Sequence, residues 1–374
     1  MNIIHVGKYY PPYHGGIEVS LRDLAEQQAH KHKVTALVHN HKFKNIFSKI
    51  DCQTINKVNV IRLKTLKPIL FTPLMFGLNS KLNELDKSKK IDVIHIAWPN
   101  PSALALLLNK KARKIPWVLQ WHSDMVTKNS SKLLKMVYFF FRPLERLLLK
   151  KVKVVIASTK EYMNYSKALS HFKGKCEIVP LGLKHEAIEI AEIDFAWANK
   201  LWQDSTTRIY HIGRFTFYKN QKLIIETAQL LPDVKFILTG CGELEKKIKQ
   251  LIQKLNLKNV VLTGALPQNK LNALLSSCDA FCLPSNDRAE SYGVVLLEAL
   301  ALNKNILVSD LKGSGMRWIA SSTSLGQTFD CNDANDLALK IKNLNINTKS
   351  IKLAKHFTIE SCAESIDQIY QNLS

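Results

Sequence analysis

The stretch Pro284 to Ala299, PSNDRAESYGVVLLEA, decides the fold. An apolar run that ends at Leu283 precedes it, and its second half has helical apolar spacing, so the pattern predicts a strand, a loop and a helix start. Glu290 lies in the loop, and Glu298 lies about two turns into the helix. A helix start favours an anion, and two carboxylates can accept hydrogen bonds from neutral hydroxyls on either side of it. A sugar joined to a nucleoside through a diphosphate has that arrangement.

The order of apolar segments predicts two α/β domains in tandem. A length of 374 residues is too great for one ordinary core. Strand, loop and helix patterns alternate through both halves, which is typical of doubly wound parallel sheets. The predicted boundaries are a first domain at 1–182, a linker at 183–205, a second domain at 206–355, and a final helix at 356–374 that packs back toward the first domain.

The charge is concentrated in the first half of the chain. The formal net charge is +22, and residues 1–182 hold 31 Lys and Arg against 11 Asp and Glu, whereas residues 183–374 hold 22 against 20. This distribution indicates an anionic partner, such as a membrane surface, a phosphorylated lipid or a nucleic acid. A lysine-rich composition is the alternative, although it should affect both halves.

Residues 130–151 form a basic amphipathic segment, either one helix or a pair broken near Pro143. It either packs on the sheet with a solvated basic face or contacts a membrane interface. Its charges exclude a bilayer span. The seven cysteines include no C-x-x-C pair, which favours reduced thiols. We therefore expect a cytoplasmic protein, peripheral at the inner face of the cytoplasmic membrane.

Three loops in the second half follow predicted strands and carry glycines or cations. Gly213-Arg214 ends one strand, and Lys219 follows five residues later. Arginine and lysine there can neutralise a diphosphate. Gly242 follows the next strand, and Ala265-Leu266 follows the one after. Each loop alone is more typical of a turn, but parallel strands end at one sheet edge, so their convergence with the two glutamates predicts a site.

Two positions in the first half have similar placements. Gly15-Gly16 precedes the first predicted helix and permits close backbone approach to a bound group, although it is not a G-x-G-x-x-G fingerprint. His122, followed by Asp124, ends the strand at 117–121, where the ligand crevice of an open α/β sheet lies. A plain turn and a structural histidine remain the alternatives.

Together these motifs resemble the retaining, nucleotide-sugar-dependent glycosyltransferases of family 4, which have the GT-B fold of two Rossmann-like domains facing a cleft. The stretch at 290–299 matches the family's E-x7-E signature, and HSD at 122–124 with GSGMRW at 313–318 is similar to enzymes that build O-antigen and other bacterial surface polysaccharides. Gly182-Leu183-Lys184 departs from the family's usual Gly-hydrophobic-Asp at the end of the first domain. The resemblance runs nearly end to end, with further motifs at 15–16, 180–182, 213–219 and 240–244.

The resemblance implies a role for each residue. Glu298 would bind the ribose hydroxyls, and Glu290 would contact the donor sugar. His122 would lie beside the anomeric carbon, facing Glu290 across the cleft. The loops at Gly242 and Ala265-Leu266 would line the base. The diphosphate would be held by Gly16, Arg214, Lys219 and the backbone of Ser291, Tyr292, Gly293 and Val294. Gly15 and Gly213 would be further donor-binding positions.

The expected reaction is transfer of a hexose to a lipid-linked or surface-polysaccharide acceptor, with GDP-mannose the favoured donor and a UDP-hexose next. No cofactor or metal is expected, because the sequence has no D-x-D pair and the cations with the helix start can stabilise the departing diphosphate. One alternative is a non-catalytic basic protein that binds membrane or nucleic acid, although no nucleic-acid module is recognisable. Another is an enzyme of this fold with a soluble acceptor or epimerase activity.

Overall fold

In the computed structural model the chain divides into two compact units. Unit 1 combines residues 1–184 with 355–374, and unit 2 comprises residues 185–354. The structure describes residues 1–13, 15–40, 50–69, 72–184, 190–203, 205–346 and 353–373.

Unit 1 is built on a sheet whose inner strands are buried almost throughout, as expected for parallel strands covered on both faces, whereas its two edge strands are half-buried to exposed. Its strands are β1 (Asn2–Val6), β2 (Lys33–His39), β3 (Asp51–Ile55), β4 (Val58–Leu63), β5 (Thr65–Ile69), β6 (Thr72–Met75), β7 (Val93–Trp98), β8 (Trp117–Trp121), β9 (Val154–Ala157) and β10 (Cys176–Ile178). Eight of them form one sheet in the order β10-β9-β8-β7-β1-β2-β4-β3, and β5 with β6 forms a separate pair. Within the larger sheet, β3 and β4 pair antiparallel and the other neighbours pair parallel.

The first helices of unit 1 cover this sheet. They are α1 (Gly16–Gln28), α2 (Leu78–Ser88), α3 (Lys132–Lys151) and α4 (Lys160–Tyr165), with 3-10 helices at Pro101–Leu108, Ala112–Lys114 and Lys173–Lys175. The sequence left open whether Pro143 divides α3, and the structure has one continuous helix through it.

Unit 2 is a parallel six-stranded sheet in the order β13-β12-β11-β14-β15-β16. The strands are β11 (Thr207–Ile212), β12 (Val234–Thr239), β13 (Val260–Gly264), β14 (Ala280–Leu283), β15 (Asn305–Ser309) and β16 (Gly326–Phe329). The helices are α5 (Glu192–Trp202), α6 (Gln221–Leu230), α7 (Glu245–Lys254), α8 (Gln268–Ser277), α9 (Val294–Ala301), α10 (Gly315–Ser321) and α11 (Ala334–Lys342). Both sheets confirm the α/β class that the sequence predicts.

The segment interpreted as a linker, 183–205, contains a helix that belongs to unit 2. This helix, α5, packs against α8, and the indole N–H of Trp202 donates to Ser277 Oγ at 2.9 Å. Trp202 is fully buried. Burying this large aromatic side chain favours an ordered helix here over a flexible connection.

The chain ends with the 3-10 helix Lys355–Phe357 and with α12 (Ile359–Gln371), which completes the core of unit 1. Ile366 and Tyr370 are fully buried beside α1. The Tyr370 hydroxyl donates to His95 Nδ1 at 2.6 Å, because His95 Nε2 donates to Gln120. Buried hydrogen bonds and apolar contacts therefore tie the last helix to the first part of the chain.

Candidate functional site

The strand order of unit 2 reverses beside its central strand. From β11 the sheet continues to β12 and β13 on one side and to β14, β15 and β16 on the other. At such a reversal the loops after the two neighbouring strands diverge and leave a crevice at the carboxyl edge of the sheet. The two loops here are 213–220 after β11 and 284–293 after β14, and they carry most of the sequence-predicted site residues of unit 2.

Lys219 and Glu290 join these two loops. Lys219 Nζ lies 2.5 Å from Glu290 Oε2, and their side chains are only 12% and 13% exposed. Ser285 Oγ lies 3.5 Å from the same carboxylate oxygen. Burial by itself lowers the pKa of Lys219, but the Glu290 carboxylate and Tyr218 together raise it above its ordinary value. Lys219 therefore stays cationic at neutral pH, within a carboxylate-bonded pair.

Arg214 lies in the same loop as Lys219 and is exposed. Within the described residues its guanidinium makes no hydrogen bond or ion pair, whereas its backbone carbonyl accepts a hydrogen bond from Gln221 Nε2 at 3.0 Å. Gln221 also donates to His211 Nε2, while His211 Nδ1 donates to the Cys282 carbonyl at 2.9 Å. A buried network thus fixes the backbone at Arg214 and leaves its charged end in solvent.

The loop at 284–293 is braced from α10. The Ser314 hydroxyl donates to the Glu290 carbonyl at 2.6 Å, and the Gly315 N–H donates to the Ser291 carbonyl at 2.7 Å. A Cβ atom at Gly315 would lie 2.9 Å from that Ser291 oxygen. Sequence reasoning used the GSGMRW stretch only as a mark of resemblance and missed its role. The signal was a Gly-Ser-Gly run that follows a buried strand.

Helix α9 begins directly after this loop. Gly293 precedes it with φ +81°, a left-handed conformation that favours glycine, and no side chain caps the helix start. Tyr292 is buried, so the backbone of Ser291 to Val294 is held in place. The N–H groups at an uncapped helix start are suited to an anion. Glu298 is partly exposed within the same helix.

The glycine loops after β11 and β12 pack on each other. A Cβ atom at Gly240, which has φ +139°, would lie 2.1 Å from the Gly213 carbonyl oxygen. A Cβ at Gly242 would lie 2.5 Å from the Phe215 carbonyl oxygen. The Gly240 N–H also donates to the Gly264 carbonyl at 2.9 Å, immediately before Ala265-Leu266. These glycines are thus required by backbone packing.

The remaining predicted residues belong to unit 1, at the carboxyl ends of its strands. His122 follows β8 and is buried, and its Nε2 has no hydrogen-bond partner in the described part of the chain. Burial lowers the pKa of His122 to about 4, so the ring is neutral at physiological pH. The Asp124 carboxylate accepts from Trp121 Nε1 at 3.1 Å and Ser166 Oγ at 2.6 Å, which fixes the loop.

Gly15 and Gly16 stand at the start of α1, and their surroundings differ. A Cβ atom at Gly16 would meet nothing within 4 Å, whereas one at Gly15 would lie 2.3 Å from Glu18 Oε2. Gly16 therefore has open space beside it, and Gly15 accommodates a neighbouring side chain. Unit 2 thus carries Gly213, Arg214, Lys219, Gly242, Ala265, Leu266, Glu290, Ser291, Tyr292, Gly293, Val294 and Glu298, and unit 1 carries Gly15, Gly16 and His122.

Comparisons with known proteins agree with this architecture. The model "Glycosyltransferase Family 4" matches residues 14–187, and "Glycosyl transferases group 1" matches residues 194–360. O-antigen chain mannosyltransferase C of Escherichia coli is 25% identical over 345 residues, covering 90% of this chain and 86% of that protein. N-acetylgalactosamine-N,N'-diacetylbacillosaminyl-diphospho-undecaprenol 4-alpha-N-acetylgalactosaminyltransferase of Campylobacter jejuni is 26% identical, covering 81% of this chain and 80% of that protein. The crystal structure of Anabaena HepE in complex with UDP superposes with a TM-score of 0.74 at 17% identity over 100% of both chains.

The fold and these matches define a two-domain glycosyltransferase of the GT-B class. The two family models together account for most of the chain, and it belongs to the family 4 glycosyltransferases. This membership confirms the resemblance seen in the sequence. It does not favour the alternative of a non-catalytic basic binding protein or of an epimerase.

Proposed function

We propose that this glycosyltransferase moves a hexose from a nucleoside diphosphate sugar to a lipid-linked or surface-polysaccharide acceptor, with retention of anomeric configuration. The name of the Escherichia coli relative specifies an O-antigen mannosyltransferase, and that of the Campylobacter jejuni relative specifies a diphospho-undecaprenol-linked acceptor. Mannose from GDP-mannose is the favoured donor. A UDP-hexose is the next candidate, in keeping with the UDP bound to Anabaena HepE.

The observation that carries this proposal is the Lys219–Glu290 pair at the switch point, next to the uncapped start of α9. A diphosphate is an anion, and a lysine and a helix start are two groups that stabilise one. A sugar attached to that diphosphate presents hydroxyl groups, and Glu290 has carboxylate oxygens that can accept their hydrogen bonds. The nucleoside diphosphate and the sugar therefore have complementary groups within one small region.

The chemistry follows from the charges of the chain's own residues. When the bond between the anomeric carbon and the diphosphate breaks, negative charge grows on the leaving oxygen. The acceptor hydroxyl forms the new bond on the same side of the sugar, and its proton passes to that departing diphosphate oxygen. Arg214, whose guanidinium is exposed and without an ion pair in the described residues, can move to that charge while Lys219 approaches from the buried side. In this proposal Glu290 orients Lys219 and the sugar and is not a general base.

The remaining assignments complete the donor site. Glu298 accepts hydrogen bonds from the ribose hydroxyls, and the loops at Gly242 and Ala265-Leu266 line the base. His122, as a neutral imidazole with an unpartnered Nε2, contacts the sugar by a hydrogen bond without adding a charge. No step is assigned to a metal, so we expect transfer to continue unchanged after treatment with a chelator.

A thermal-shift titration with GDP-mannose, UDP-glucose and the free nucleotides tests the donor assignment. A ligand at 100 times its dissociation constant should stabilise the protein by about 2.7 kcal/mol. Glu298→Ala should weaken that binding strongly, whereas Glu226→Ala, on a surface helix of the same unit, should leave it unchanged. Unchanged affinity of the Glu298 variant would contradict the ribose assignment. NMR of the product from an acceptor assay then determines the anomeric configuration.

A further inference from the structure

One side of α3 presents an apolar stripe to solvent. Its members are between 39% and 73% exposed, with Phe140 at the upper end, and they are Leu133, Met136, Val137, Phe140, Leu144 and Leu147. They recur every three or four residues, so they share one side of the helix. Soluble proteins rarely expose a contiguous apolar surface of this kind unless it binds something.

The helix is firmly attached to unit 1 along another side. Leu148 and Leu149 are fully buried in the core, and the Tyr138 hydroxyl donates to Glu145 Oε2 at 2.5 Å. Ser131 caps the first turn, and Lys175 Nζ donates to the Lys150 carbonyl at 2.8 Å at the far end. The apolar stripe is therefore exposed on a helix whose other side is packed on unit 1 and whose two ends are capped.

The charges beside the stripe are basic. The residues Lys132, Lys135, Arg142, Arg146 and Lys150 lie on the same helix, and its one acidic residue, Glu145, is buried. Residues 1–182 as a whole carry 31 Lys and Arg against 11 Asp and Glu. An apolar stripe flanked by cations complements a surface with anionic groups above an apolar layer. A second copy of the same helix fits less well, because its like charges would repel.

We propose that α3 docks on the surface of a bilayer that contains anionic phospholipid, with the helix in the plane of the membrane and the stripe in the interface. The role of this docking rests on the proposed function, because a lipid-linked acceptor lies in such a membrane surface. Among the residues that the structure describes, no helix is long and apolar enough to cross a membrane. In this docking Phe140 and Leu144 supply the central apolar part of the contact.

Vesicle co-sedimentation without donor or acceptor tests this docking, with vesicles of phosphatidylcholine alone and of phosphatidylcholine mixed with phosphatidylglycerol. The wild-type chain should sediment with the mixed vesicles, and added salt should weaken the binding because part of it is electrostatic. The double variant Phe140→Ser, Leu144→Ser should bind about tenfold or more weakly, because two exposed apolar side chains no longer enter the interface. Phe195→Ser, at an exposed phenylalanine of α5, is the matched control and should bind as the wild type does.

The outcomes separate this inference from the proposed function. Loss of vesicle binding in the double variant, with nucleotide-sugar binding in the thermal-shift assay retained, supports docking through α3. Equal vesicle binding by the double variant and the wild type overturns it, even if sugar transfer is found. A wild-type dimer in analytical ultracentrifugation that the double variant abolishes, with no vesicle binding by either, also overturns it and assigns the stripe to self-association.

Discussion

The Nζ atom of Lys219 lies 2.5 Å from Oε2 of Glu290, so a cation from the loop after β11 and a carboxylate from the loop after β14 form one largely buried pair. The two strands are neighbours in the sheet although they are far apart in the sequence. The pKa of Lys219 is raised beside the Glu290 carboxylate, so Lys219 stays cationic in a poorly hydrated place. The pair therefore couples the two loops that the proposed function assigns to the diphosphate and the sugar.

Breaking this pair should destabilise the fold as well as abolish activity. Lys219→Met leaves the Glu290 carboxylate buried without its partner, and the free energy of unfolding should fall by about 3–5 kcal/mol. The double variant Lys219→Met, Glu290→Gln removes both charges and should recover part of that loss. Urea denaturation of the two variants and the wild type measures the difference. A single variant as stable as the wild type would show that the pair is solvated and contributes little.

Arg214→Ala should separate catalysis from stability. Because the guanidinium is exposed and makes no ion pair or hydrogen bond in the described part of the chain, the free energy of unfolding should change by less than about 0.5 kcal/mol. Turnover should fall on the order of 10²–10³-fold, as expected for loss of one donor to a developing charge. Steady-state kinetics measures this, with Arg113→Ala of unit 1 as the control. Normal turnover of the Arg214 variant rules out the role proposed for it.

Alanine substitutions at two glycines should have different effects on the stability of the fold. Gly240→Ala places a Cβ atom 2.1 Å from the Gly213 carbonyl oxygen at a left-handed φ, so the protein should be destabilised by several kcal/mol, above the ~1–3 kcal/mol of backbone strain alone. Gly16→Ala meets no atom within 4 Å and should fold normally.

If the open space at Gly16 accepts the donor diphosphate, Gly16→Ala should still raise the KM for the nucleotide sugar. Gly174→Ala, also without a neighbour within 4 Å, is the control for the substitution itself. Thermal melting and donor titration are the two measurements. A Gly16 variant with normal stability and normal kinetics would remove Gly16 from the donor site.

Acid should destabilise unit 1 through its buried histidines. His5 lies in β1, its Nε2 donates to Gln28 Oε1 at 2.8 Å, and Gln28 donates in turn to Asp367 of α12. Burial lowers the pKa of His5 to about 4, against the partial opposition of its hydrogen bond to Gln28. Between about pH 6.5 and pH 4 the unfolded chain binds a proton that the folded chain does not, so stability is complete above this range and is lost as the pH falls through it.

The expected slope is about 1.4 kcal/mol of unfolding free energy per pH unit for each such histidine. His5→Gln should reduce the slope by up to that amount, whatever its effect on stability at neutral pH. Denaturation curves at a series of pH values give both slopes. Equal slopes for variant and wild type would mean that His5 titrates normally in the folded protein.

The sequence alone was sufficient for the fold class and for most of the regular elements of unit 2. The strands of unit 2 are short continuous apolar runs, and its helices have apolar residues at helical spacing. Both patterns are therefore visible in the sequence. The short polar strand β3 and the strands β5, β6 and β16 were not predicted, because their apolar pattern is weak and tertiary pairing stabilises them. The expected linker was interpreted as irregular or helical, and its packing on α8 through Trp202 was not visible in the sequence, because the burial of Trp202 depends on α8.

The chain by itself also determined that Arg214, Lys219, Glu290 and Glu298 follow strands that end at one sheet edge, which is the basis of the donor site proposed above. Only the tertiary structure decided how they are arranged. It pairs Lys219 with Glu290, braces the Glu290 loop through Ser314 and Gly315, and shows that Gly240 and Gly242 are required by packing of backbone on backbone. The physical reason is that period and spacing report local structure, whereas an ion pair between two loops depends on which strands become neighbours in the folded sheet.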